Sequence, residues 1–142
     1  IDRVDKVIRE GDRPKIIDYR VEGPDGEDFT QETFQGTKLL IVMYNVQLAS
    51  EKNADRISKL IRDMEGTAEA IILTSSSSAE VEAFRHKHQW AAPYYFADAT
   101  VLKTIIRSNP GLTLWVDGTV KGKWHYNDVP DSDELRKLIS GS

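Results

Sequence analysis

Hydrophobic spacing along the chain switches between helical and extended periods several times. Ile1, Val4 and Ile8 recur at helical spacing in a charged stretch, so 2–10 reads as a short amphipathic helix. Gly11-Asp12-Arg13-Pro14 breaks it, which divides the chain into an N-terminal helix and linker over 1–14 and one domain over 15–142. Lys15 to Glu22 alternates weakly and ends at the turn residues Pro24-Asp25-Gly26. Glu27 to Thr30 is expected to run back antiparallel. Lys38 to Val46, with its strongly apolar run from Leu39 to Tyr44, reads as a strand buried on both faces.

Ser50 is the predicted cap of a helix whose apolar face is Ala54, Ile57, Leu60, Ile61 and Met64, with Gly66 as its stop. Ala68 to Thr74 is a second buried strand. Ser77 and Glu80 have capping-box spacing ahead of a helix with Val81 and Phe84 inward. Pro93 to Ala97 is short, aromatic and extended. Asp98 caps a helix holding Leu102, Ile105 and Ile106, and Asn109-Pro110-Gly111 ends it. Leu112 to Val116, Asp117-Gly118 and Thr119 to Tyr126 carry the clearest hairpin signal in the chain. Asp131 and Glu134 repeat the capping spacing before Leu135, Leu138 and Ile139. The order is β-α-β-α, a further helix, then β-β-α, with a hairpin in front: an α/β domain.

Composition narrows the chemistry. A 142-residue chain can bury a core without a disulfide or metal. It contains no cysteine, which excludes thiolate catalysis, iron–sulfur clusters and thiolate zinc sites. A net charge of −4 excludes a strongly basic nucleic-acid footprint. No apolar run approaches the roughly 18 residues of a membrane helix. No signal peptide is visible, and the start at Ile1 reads as that of a piece cut from a longer protein. Neither a P-loop, a dinucleotide glycine motif, a nucleophile elbow nor an EF-hand string occurs, and no cofactor is expected.

Three segments resemble the thioredoxin-like fold, in its branch of thiol-disulfide oxidoreductases and peroxiredoxin-like proteins. They are Phe34-Gln35-Gly36-Thr37-Lys38 leading into 39–44, Pro93 to Asp98, and Ser108-Asn109-Pro110-Gly111 running through Leu112 to Gly118. With the element order, the likeness covers about residues 15–140. It implies a three-layer α/β/α sandwich with a mixed central sheet and an N-terminal β-hairpin extension. It also implies a cis Asn109–Pro110 bond in the loop that faces the family's active site. That family places two cysteines where the first buried strand gives way to a helix, because a helix N-terminus stabilises a thiolate. Those positions fall near Leu48 and Glu51, give or take one residue, and neither is a thiol. Disulfide exchange and thiol peroxidase chemistry are therefore excluded.

A narrower likeness joins residues 97–111 and 123–130 to the soluble thioredoxin-like tail of DoxX-family membrane proteins of Bacteroidetes. It implies a bacterial parent, membrane-tethered through an N-terminal segment that this chain lacks.

The first functional expectation is a redox-inactive module that binds a protein or peptide. Its expected surface joins Gln47, Leu48 and Glu51 to Asn109 and Pro110, with β-addition to the proline loop as the physical route. The second is an enzyme of non-thiol chemistry, with Glu51 and His125 as acid–base candidates. Against it, Glu51 also reads as a carboxylate favoured by a helix start, and His125 as part of an edge-strand packing cluster between Trp124 and Tyr126. His86 and His88, two apart on a helix, cannot share a metal as an i, i+4 pair does, and both read as solvated. The third is an oligomerising domain using Tyr94, Tyr95, Trp115, Trp124 and Tyr126, set against their ordinary use in a core.

Overall fold

A computed structural model describes residues 19–140. The helix expected over 2–10 and the boundary after residue 14 lie outside the described residues. Five strands form one mixed sheet: β1 Thr37–Met43, β2 Glu69–Thr74, β3 Tyr94–Phe96, β4 Gly111–Val116 and β5 Thr119–His125. Their spatial order is β3-β2-β1-β4-β5. β1 pairs parallel with β2, Leu40 opposite Ile71, and antiparallel with β4, Leu40 opposite Thr113.

The run Leu39 to Met43 serves two cores at once. Leu39, Ile41 and Met43 join one apolar cluster, and Leu40 and Val42 join the other. Strand side chains alternate between faces, so a run apolar at every position demands cover on both. Helices α1 Ala54–Asp63, α2 Ser78–His88 and α4 Ser132–Ser140 contribute Ile57, Phe84 and Leu135 to the first cluster. The seven-residue α3, Ala99–Ile105, covers the second with Leu102 and Ile105. This is the expected three-layer sandwich. Each of these side chains contributes roughly 1.5–3 kcal/mol by leaving water.

Local signals act as the sequence implies at several ends. Ser77 and Glu80 form a reciprocal capping box, and Asp98 accepts from the Thr100 amide. Asp117 and Gly118 both have positive φ, 50° and 85°, in the tight β4–β5 turn. The Asp117 carboxylate also accepts from the Gly36 amide at 2.9 Å, tying that turn to the start of β1.

The front hairpin lies partly outside the described residues; its described part pairs antiparallel through the Glu22–Asp28 bridge, with Gly23 N–H donating to the Glu27 carbonyl and Phe29 N–H to that of Val21, and Glu22 also bridges to Phe96. Other expectations are corrected. Ser50 does not cap α1; Asn53 occupies that place, and its amide is drawn to the Tyr126 carbonyl at 2.7 Å. α3 ends at Ile105, four residues before Asn109, because Ile106 turns extended. Tyr126 leaves the β5 strand for a 3-10 turn, so it does not share a strand face with Trp124.

Candidate functional site

β1 ends at Met43, and the chain reaches α1 through Tyr44 to Asn53, with a 3-10 turn over Val46–Leu48. Short polar side chains fix this loop. Asn45 Oδ1 accepts from the Gln47 amide at 2.9 Å, and the Val46 amide donates to Ser76 Oγ at 2.9 Å. The proline loop closes over it from the other side. Asn109 Nδ2 donates to the Asn45 carbonyl at 2.8 Å, and the Ser50 amide donates to the Asn109 carbonyl at 2.9 Å. The Asn109–Pro110 peptide is cis. Behind it, Ser108 Oγ donates to the Pro110 carbonyl at 2.6 Å and accepts from the Tyr126 amide at 3.0 Å.

The expected surface residues therefore differ in access. Gln47, Leu48 and Glu51 are exposed, and Leu48 shows 72% of its surface. Asn109 and Pro110 are buried. Asn109 Oδ1 is buried without a hydrogen-bond partner among the described residues. The loop carbonyl that β-addition would use at Asn109 is already occupied by Ser50 N–H. The proline loop supports the exposed residues from beneath and offers no open edge at that carbonyl.

Glu51 and His125 are not partners. Glu51 Oε1 lies 2.9 Å from both Lys87 Nζ and His88 Nε2, at the C-terminal end of α2. The Lys87 ammonium, and secondarily His88, hold the Glu51 carboxyl below its ordinary range. His125 Nδ1 instead accepts from the Asn127 amide at 3.1 Å, and its ring packs 4.1 Å from that of Tyr126. His86 is exposed as expected, but His88 is not solvated: its ring sits 4.6 Å from Phe84 and 6.3 Å from Trp90. Sequence reasoning missed His88. The signal was Phe84 and His88 at i, i+4, which places both on one side of α2.

The aromatic group does not assemble into one patch. Trp115 is buried in the α3-side cluster, while Trp124 and Tyr94 pack against the opposite one. Tyr95 stacks on Phe29 at 3.9 Å. Among the described residues no group of His, Asp and Glu could hold a metal ion, and no helix is long and apolar enough to cross a membrane.

No family model matches the chain, and no curated protein does either. Solved structures do match. A thiol-disulfide oxidoreductase from Bacteroides fragilis superposes with a TM-score of 0.62 at 12% identity, over 87% of this chain and 97% of its own. A putative thioredoxin from Neisseria meningitidis gives 0.62 at 11%, over 86% and 85%. A PrxQ mutant from Xylella fastidiosa gives 0.58 at 11%, over 89% of each chain. The domain thus has a thioredoxin-like fold, and it holds this fold without a single cysteine.

Proposed function

We propose that this cysteine-free thioredoxin-like domain is a binding module for a protein or peptide, with Gln47, Leu48 and Glu51 as its contact surface. The observation that carries this reading is Leu48: a large apolar side chain, 72% exposed, on a loop whose backbone is hydrogen-bonded at both ends, by the Asn45 side chain on one side and the Asn109 carbonyl on the other. An apolar anchor on a fixed loop buries area on binding with little ordering cost. Asn109 and Pro110 act beneath that surface as its support rather than as contacts. Recognition then runs through side chains, since the Asn109 carbonyl is already bonded.

Selection of binders from a random peptide library on the whole chain, followed by amide chemical-shift mapping, tests this. Binders that shift residues 46–52 and lose at least about tenfold in affinity with Leu48→Asp support it. Binders that map elsewhere, or that tolerate Leu48→Asp, overturn it.

We further propose, from the two strings alone, that the parent is a DoxX-like membrane protein of Bacteroidetes. The comparisons lend this origin no support. The gene sequence upstream of Ile1 decides it. Membrane helices there support the assignment, and a signal peptide joined directly to this domain, or a plain Met start, removes it.

A further inference from the structure

A second feature lies at the other end of the sheet. Trp115 pairs with Lys38 at the start of β1, whereas the proline loop abuts Met43 at its end. Trp115 is four residues along β4 from Gly111, roughly 13 Å at strand rise. The short α3 leaves this part of its face to other residues. Phe34 and Tyr19 reach it, with ring centroids 5.7 Å and 6.2 Å from that of Trp115 and 5.4 Å from each other. Between these rings, Ile105 and Val120 lies a groove of about 460 Å³. That volume lies within the range of small-molecule sites.

Three observations say what the groove suits. Its walls are mainly aromatic and aliphatic, and Phe34 and Val120 are two of the three large apolar side chains left exposed among the described residues. Lys123 stands at its edge without an ion pair to any described residue, and among the described residues no acidic side chain lines the groove. Trp115 is buried, and its indole N–H has no acceptor among the described residues. The other two indoles are satisfied, Trp90 by the Ala54 carbonyl and Trp124 by Glu134. Rings alone would suit any apolar body; an unpaired cation beside them, in a chain of net charge −4, selects an anionic head.

We propose that this groove is a binding site for a small amphipathic monoanion, an aromatic body against Phe34 and Trp115 with its carboxylate on Lys123. This site is separate from the Leu48 surface and stands whether or not that surface binds a partner.

The probe is 2-naphthoate, with 2-naphthalenemethanol as its neutral counterpart, added to the whole chain labelled with nitrogen-15. Saturable binding of naphthoate that shifts the Trp115 indole resonance, and leaves those of Trp90 and Trp124 in place, is the expected result. Naphthoate binds about fivefold tighter than the alcohol, and Lys123→Met removes that preference. Lys123 is exposed, so the variant folds. Equal affinity for the two probes, or a preference that survives Lys123→Met, overturns the anion assignment. A Trp115 resonance that ignores both probes overturns the site. So does one that moves on dilution of the protein alone, because a second copy of the chain then fills the groove.

Discussion

Glu51 and His88 are 37 positions apart in sequence, and Oε1 of one lies 2.9 Å from Nε2 of the other. The contact joins the loop before α1 to the last turn of α2, and Lys87 reaches the same oxygen. The loop that exposes Leu48 is thus tied to α2 as well as to the proline loop.

This tie depends on pH with a definite sign. Lys87 first, then His88, lower the Glu51 carboxyl. A lowered folded-state value means that its stabilisation is fully present above the ordinary carboxylate range and is lost as pH falls through the lowered one. Glu51→Gln should therefore lower the melting temperature slightly at neutral pH and make no difference in strong acid. Thermal unfolding of both proteins at several pH values checks it. A gap that widens on acidification contradicts the assignment.

Leu48 and Ile72 should separate binding from folding. Leu48 is exposed, so Leu48→Ala changes stability by no more than about 0.5 kcal/mol. Ile72 is fully buried in the centre of β2, so Ile72→Ala costs about 2–5 kcal/mol. Urea unfolding of the two variants gives both numbers on one scale.

Asn109 should tolerate loss better than charge. Asn109→Ala removes one bond to Asn45 and also an oxygen that has no partner, at a cost of about 1 kcal/mol. Asn109→Asp places a carboxylate in the same buried position, and burial raises its pKa. That variant should be the less stable of the two at neutral pH and should recover as pH falls and the group takes up a proton. Chemical denaturation at pH 7 and pH 4 distinguishes them.

Gly111 begins β4 immediately after the cis peptide. A Cβ built there would lie 2.7 Å from Ile106 Cγ2 and 3.0 Å from the Ser108 carbonyl oxygen. The Ile106 side chain can yield, but the backbone oxygen has little room. Gly111→Ala should cost about 1–3 kcal/mol and disturb the Ser108 and Asn109 amides first. Amide shifts of the variant report which part moved.

Much of the fold was legible because its signals are local. Leu39 to Met43 declares a doubly covered strand by being apolar at every position, and Asp117-Gly118 declares a tight turn through two residues that accept positive φ. The Ser77–Glu80 box needs only its own four residues. The corrections share the opposite cause. Ser50 had the right side chain for a cap, but its amide is committed to Asn109, 59 positions on, and Asn53 takes the helix end instead. Proximity of Leu48 to the proline loop could be expected from the family likeness. Burial of Asn109 could not, since its side chain reaches across 64 positions to the Asn45 carbonyl, a contact that leaves no trace in spacing. Glu51 reads in the sequence as a carboxylate at a helix start, whereas it lies three residues ahead of α1 and its partner is set by where α2 packs; periodicity gives only which side of α2 His88 occupies.

The Tyr126 peptide is gripped from both ends, its N–H by Ser108 and its carbonyl by Asn53. The chain passes through this residue between β5 and α4. Its two bonds tie it to the turn beside the proline and to the head of α1. Peeling the edge strand from that end therefore has to break two hydrogen bonds beyond the last β5 pairing, at Gly111 and His125.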